Sequence, residues 1–265
     1  MTGLQLVVLA IVQGLTEFLP ISSSGHLVLV PAAFGWADQG LAFDVAVHFG
    51  SLGAVLVFFR KDIAALLRGG VQVLGANVNS IESRMALGIG LGTIPAAVAG
   101  LFLAGWIEQN LRSPNIIVFT LSGYAVLMIL ADRFGRRVRE ISSVQIKDAL
   151  LIGCAQALAL VPGTSRSGIT ISAAMALGFE RQDAARFSFL LAVPVILLAT
   201  GYEFIGLLNS EATVAWAQLG IAALVAGIVA YLSIEFFMRF VSRIGLMPFA
   251  IYRLILAAVI VYVVT

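Results

Sequence analysis

The sequence predicts an all-α integral membrane protein with six transmembrane helices and two re-entrant helical hairpins in an inverted-topology repeat. Three observations carry that expectation. Hydrophobic residues fill 60% of the chain and charged residues only 11%, whereas a water-soluble domain carries about 25% charged residues. Apolar stretches near the ~20 residues that a ~30 Å hydrocarbon core demands recur along the chain. Two further apolar stretches are cut in the middle by proline and serine, and basic residues gather in alternate loops.

The first broken stretch is 2–35, interrupted at Pro20-Ile21-Ser22-Ser23-Ser24-Gly25. It lacks a basic n-region and contains Gln13 and Glu17, so it reads as part of the mature fold rather than a cleaved signal peptide. Three full spans follow at 44–59, 85–104 and 114–131. The second broken stretch is 148–178, interrupted at Pro162-Gly163-Thr164-Ser165-Arg166-Ser167, and three more spans follow at 187–207, 214–238 and 246–264. Neither half of a broken stretch crosses a bilayer comfortably. Non-helical backbone at membrane depth needs protein or a wet cavity to satisfy its polar groups, so both stretches are expected to enter and leave by one face.

Short cytoplasmic loops are rich in Lys and Arg. Arg60, Lys61, Arg68 and Arg84 follow the first span, Arg133, Arg136, Arg137, Arg139 and Lys147 the third, and Arg239 and Arg243 the fifth. Those loops belong inside. The opposite loops, with Glu108, Arg112 and Glu211, belong outside. A single membrane domain, 1–265, then divides into half 1 at about 1–131 and half 2 at about 148–265, inserted in opposite senses. Gln13 through Ser24 lines up with Gln156 through Arg166 once a single gap places Pro20 on Pro162, and the two polar tips are expected to meet near the midplane. The one cysteine, Cys154, excludes an intramolecular disulfide and a thiolate cluster. A net charge of +2 gives no reason to expect a nucleic-acid partner.

Gln13 and Glu17 share one helix face, and Pro20 ends that helix. Ser22, Ser23 and Ser24 can cap the returning half-helix, as Thr164 or Ser165 can in the second hairpin. Two inward half-helix N-termini suit a group carrying two phosphates. Arg166 can grip phosphate with its planar fork, and at mid-membrane it costs at least ~2.5–3.5 kcal/mol unless something compensates. The plainer readings stand beside these. Serines at a helix break are often only caps, and Glu17 can serve simply as the ion-pair partner of Arg166. His26, one turn past the serines, can reach a hydroxyl or be a satisfied core residue. Asp44 and His48 read as a local polar pair rather than a metal site. Arg253, deep in the last span, needs a partner or a headgroup. Glu235 with Arg239, and the stripe of Phe187, Phe189 and Leu191, read as ordinary pairing and packing.

The segments QGLTEFLPISSSGH at 13–26, PGTSRSGIT at 162–170, FSFLLAVP and PFAIYR resemble the bacterial undecaprenyl-diphosphate phosphatases also called bacitracin-resistance proteins, over nearly the whole chain. The resemblance implies removal of the terminal phosphate from a C55 prenyl diphosphate in the bacterial inner membrane. That reaction recycles the lipid carrier of cell-wall synthesis, at a site facing the periplasm. It implies an active site built from an (E/Q)xxxE element, here Gln13 and Glu17 holding Mg2+ or Ca2+, and a PGxSRSxxT element spanning Pro162 to Thr170. Ser23 matches the proposed nucleophile, His26 a histidine of debated role and Arg166 the arginine of the second element. Ser22, Ser24, Gly163, Thr164, Ser165, Ser167 and Thr170 are then substrate-binding candidates. Attack by Ser23 and attack by metal-activated water both remain open. The partners expected are the lipid diphosphate and membrane lipids, with a homodimer as the assembly to test. An inverted-repeat transporter or flippase is the alternative. A second membrane phosphatase superfamily, with a PSGH-like element similar to SSSGH here, needs a second histidine site that a chain holding only His26 and His48 lacks.

Overall fold

The computed structural model describes residues 1–111, 113–209 and 215–264. Arg112 and Glu211, assigned above to outer loops, fall outside them, as does the side chain of Glu108. The described chain is α-helical throughout: α1 Gly3–Thr16, α2 Ser23–Phe34, α3 Leu41–Phe58, α4 Arg60–Leu74, α5 Ile81–Asn110, α6 Pro114–Phe134, α7 Ile146–Ala157, α8 Arg166–Ala176, α9 Arg181–Leu208, α10 Trp216–Ile244 and α11 Met247–Val264.

Five of these are long and apolar enough to cross a membrane, namely α3, α5 over Ile81–Ile107, α6, α9 and α10, and the apolar stretch Met247–Tyr262 of α11 is shorter. Large apolar side chains such as Phe102, Phe119 and Tyr202 stand exposed on them, as lipid-facing surfaces require. Several helices run further than the apolar stretches because caps set their ends. Ser80 Oγ accepts the Ser83 N–H at 3.0 Å and starts α5 well before its apolar run.

Both expected breaks are present. The helical course stops after Thr16 and resumes at Ser23; in the second stretch α7 passes through a short 3-10 turn, Leu158–Leu160, before α8 begins at Arg166. The segment 60–84, read above as a basic loop, instead contains α4. This helix starts one residue after α3 and returns against α5, with Leu67, Val71 and Leu74 exposed on one side. Its charges and the Gly69-Gly70 pair obscure a one-sided apolar pattern.

Hydrophobic attraction between helices is weak in lipid, so close backbone approach does much of the packing. A Cβ on Gly50 of α3 would lie 2.0 Å from the Ala223 carbonyl oxygen of α10, and one on Gly153 of α7 would lie 2.2 Å from the Gly92 carbonyl oxygen of α5. Only glycine fits either contact. Phe187, Phe189 and Leu191 are buried, and Phe189 packs edge-on against Phe18 with centroids 5.3 Å apart, directly beside the first break. Ion pairs tie the helix ends on one face: Asp62 with Arg186, Asp132 with Arg181 at 2.6 Å, and Arg139 with Asp148 at 2.6 Å. The C-terminal ends of α3 and α6 and the N-terminal ends of α7 and α9 therefore share that face, which also carries the basic loops.

Candidate active site

Each break ends on a serine in a backbone conformation that side-chain-bearing residues rarely adopt. Ser22 caps α2 with φ 75° and Ser165 caps α8 with φ 69°. Such positions cost about 1–3 kcal/mol and persist only where the surroundings over-determine them. Ser165 Oγ accepts the Gly168 N–H at 3.2 Å, while the Ser22 carbonyl accepts from His26 Nδ1 at 2.7 Å. The shared cap geometry pairs Ser22 with Ser165 and therefore Ser23 with Arg166, one residue away from the single-gap alignment, which set Ser24 against Arg166. The second break holds one more residue after its proline, which that alignment does not accommodate. Ser165, not Thr164, is the second cap; Thr164 is fully buried and its hydroxyl has no partner.

The two breaks touch. Ser167 Oγ donates to the Leu19 carbonyl at 3.1 Å, and Arg166 Nη2 donates to Glu17 Oε1 at 2.9 Å. Glu17, 8% exposed, is the hub. Its other oxygen, Oε2, accepts the Ser23 hydroxyl at 2.7 Å and Gln13 Nε2 at 3.1 Å. One carboxylate thus collects an amide from α1, a hydroxyl from the first residue of α2 and a guanidinium from the first residue of α8, so both half-helices begin beside it. Arg166 Nη1 and Gln13 Oε1 are buried with no hydrogen-bond partner. An unpaired buried polar atom costs roughly 1–3 kcal/mol, so two beside one ion pair make this the candidate binding position.

The remaining candidates lie around this hub. Gly163, φ 85°, turns the second break, and its carbonyl accepts from Arg253 Nη2 at 2.8 Å. Ser24 is exposed, its hydroxyl 3.3 Å from that of Ser22. Thr170 points along α8, bonding the Arg166 carbonyl at 2.7 Å and Ser188 Oγ at 2.6 Å, so it braces the arginine's turn rather than facing the hub. Neither ring nitrogen of His26 bonds Ser23. Its Nδ1 donates to the Ser22 carbonyl and its Nε2 is 2.7 Å from the Tyr252 hydroxyl, because an imidazole one helical turn on folds back over the carbonyl four residues earlier.

Two residues read above as peripheral belong here. Asp44 and His48 do not pair through their side chains: Asp44 Oδ1 accepts from Gln39, while His48 Nδ1 donates to the Asp44 backbone carbonyl at 2.7 Å and presents Nε2 3.7 Å from Glu17 Oε2. Arg253, fully buried, finds its partners in backbone carbonyls of residues 120, 121 and 163. Helical spacing marks neighbours on one helix, not which helix its face meets, and carbonyl acceptors have no signature in sequence. The Glu235 and Arg239 pair is exposed and 3.9 Å apart, as expected of an edge.

The family model described as "Bacitracin resistance protein BacA" matches residues 6–259. The chain is 50% identical over 259 residues to "Undecaprenyl-diphosphatase 2" of Stutzerimonas stutzeri, covering 97% of this chain and 96% of that protein. It is 51% identical over 262 residues to "Undecaprenyl-diphosphatase" of Nitrosococcus oceani, with 99% of each covered. Against the protein of the same name from Hahella chejuensis identity is 52% over 258 residues, with 97% of each covered.

Proposed function

The chain belongs to the bacitracin resistance protein BacA family, and we propose that it hydrolyses undecaprenyl diphosphate to undecaprenyl phosphate and inorganic phosphate, returning the lipid carrier to cell-wall synthesis. The naming of its near-full-length relatives supports this over transport. The observation that carries the chemistry is the convergence of Ser23, Gln13 and Arg166 on the Glu17 carboxylate across two half-helix N-termini.

In this reading the diphosphate enters at the two N-termini and takes up the open Nη1 of Arg166. Glu17 receives the proton of the attacking hydroxyl through Oε2. Two routes share that arrangement. Ser23 Oγ attacks the terminal phosphorus and the anhydride bond breaks toward undecaprenyl phosphate, with water then cleaving the phosphoserine; or water attacks directly and Ser23 orients it. Trapped phosphoserine at Ser23 favours the first, and full activity in Ser23→Ala removes it.

A divalent cation fits beside these residues. Among the described residues no cluster of three His, Cys, Asp or Glu exists to cage one, but Mg2+ and Ca2+ at phosphate substrates draw on one or two carboxylates and on phosphate oxygens. Glu17 and the unpaired amide oxygen of Gln13 would hold it. When bound it supplies charge neutralisation at the transferred phosphoryl group.

The fold completes the proposal. Six spans, the last formed by α11, and the two broken hairpins make an inverted repeat in the inner membrane, with the basic face cytoplasmic and the site opening to the periplasm. Phosphate release from a short-chain prenyl diphosphate in detergent, with and without EDTA, tests it. A transporter releases none.

A further inference from the structure

A groove of about 510 Å³ lies between α6, α7 and α8, walled by Tyr124, Leu127 and Phe134, by Ala155, and by Ile169 and Ala173. Its lining is largely apolar. Ser172 also faces it, but turns its hydroxyl back to the Gly168 carbonyl at 2.7 Å. Leu127 and Phe134 are exposed, so the outer side of the groove opens to lipid. From Phe134 to Tyr124 the helix rises about 15 Å at ~1.5 Å per residue, the depth of one leaflet of a ~30 Å hydrocarbon core. One acyl chain fits that length.

The charge at its mouth shows which end holds a headgroup. Gly135 lines the groove beside Phe134, and its carbonyl accepts from Arg137 Nε at 3.3 Å. Arg137 has φ 49°, a left-handed conformation uncommon outside glycine, and its guanidinium folds back onto the groove's end. Neither Nη of that guanidinium has a hydrogen-bond partner among the described residues. Arg136 stands over the end of α8, its Cβ 3.9 Å from where a Cβ on Gly178 would lie. Segment 133–147 carries Arg133, Arg136, Arg137, Arg139 and Lys147 against a single acid, Glu140, and of these bases Arg139 is already held by Asp148. A positive mouth over an apolar slot one leaflet deep complements an anionic head on a hydrocarbon tail. The hub lies at the opposite end of α8, at Arg166, so a diphosphate seated there stays away from these arginines.

We propose that this groove binds an anionic glycerophospholipid of the leaflet on the basic face, its phosphate held by Arg136 and Arg137 and one acyl chain lying between α6 and α8. The site goes beyond the hydrolytic reading and needs none of its steps. It takes only the cytoplasmic leaflet from the topology above.

The test is a lipid titration. Full-length protein in detergent is titrated with phosphatidylglycerol or with phosphatidylcholine of the same chains, and bound lipid is counted by native mass spectrometry. Phosphatidylglycerol should bind at least about tenfold more tightly, and Arg136→Gln with Arg137→Gln should weaken it about 30-fold while sparing phosphatidylcholine. Ala173→Trp, which fills the groove, should weaken both lipids about tenfold or more. Ala176→Phe, at the exposed end of the groove, replaces it if the tryptophan variant fails to fold. Arg239→Gln with Arg243→Gln removes the same charge elsewhere on that face and should leave binding unchanged. Equal losses in the two arginine pairs show attraction to the surface as a whole and overturn the site, as does phosphatidylglycerol binding that ignores the groove-filling variants. A groove-filling variant that raises KM for undecaprenyl diphosphate, spares a short-chain diphosphate and leaves phosphatidylglycerol bound assigns the groove to the substrate's tail and overturns the phospholipid.

Discussion

Replacing Arg253 by methionine should impair catalysis far more than stability. Arg253 donates from Nη2 to the Gly163 carbonyl at 2.8 Å, and more weakly to the Thr120 and Leu121 carbonyls at 3.4 and 3.3 Å, from a fully buried position. The short bond is a charged one, worth about 1.5–3 kcal/mol; the two long ones contribute little. Against that loss, burying a guanidinium carries a desolvation cost of several kcal/mol, which methionine of similar length does not. The two nearly cancel, so the folded protein should survive. The Gly163 turn fares worse, because it leads into Ser165 and Arg166, and Thr120 Oγ1 to the Pro162 carbonyl at 2.7 Å becomes its remaining tether. If the lost bond is felt in the transition state, kcat falls about 10- to 150-fold, at ~1.4 kcal/mol per tenfold. Arg253→Lys, which keeps one donor, should recover much of it. Phosphate release at saturating substrate separates kcat from KM, and thermal unfolding in detergent reports stability. A methionine variant with wild-type kcat, or one that fails only by unfolding, refutes the positioning role.

Arg166→Ala should lower kcat by at least about 100-fold, and Arg166→Lys should retain a small remainder, since a point charge replaces a bidentate fork; wild-type turnover in a well-expressed alanine variant removes Arg166 from the site. Glu17→Gln keeps shape but loses the charge a cation wants, so its lost rate should return in part with excess Mg2+ or Ca2+; an unchanged metal dependence leaves Glu17 as a partner of Arg166 only. Gly50→Ala should destabilise by about 1–3 kcal/mol, because its Cβ would meet the Ala223 carbonyl oxygen at 2.0 Å; an unaltered thermal midpoint contradicts the close α3–α10 contact. In a Cys154→Ala background, Ala37→Cys should react with an impermeant thiol reagent from the periplasm and Arg136→Cys should not; the reverse pattern inverts the proposed topology.

Much of this arrangement is legible in the residues. Proline and serine inside an apolar run mark both breaks, because a bilayer tolerates unpaired backbone only against protein or water. The Glu17 and Arg166 pair follows from the expense of burying either charge alone. What escapes is whatever depends on which faces meet. His48 lies one turn from Asp44, and periodicity suggests the neighbour on its own helix; the packing of α3 beside α1 instead directs the ring to Glu17. His26 shows the converse: nearness to Ser23 in sequence suggests assistance, while its bond to the Ser22 carbonyl and the stacked Tyr252 ring, 5.7 Å away, turn it aside.

The left-handed backbone at Ser22 and Ser165 is the least legible feature, since a positive φ is normally written as glycine. Serine stands at both positions, and the strain is offset differently at each. At Ser165 the hydroxyl caps the Gly168 amide. At Ser22 no side-chain cap is made, and the carbonyl is held by His26, which Tyr252 orients in turn. The first tip is therefore fixed from α11 through His26 and the second from α11 through Arg253, so one terminal helix positions both halves of the site. That common anchor gives a physical reason for PFAIYR to accompany the two hairpin motifs: Tyr252 and Arg253 are adjacent in it, and each braces one tip.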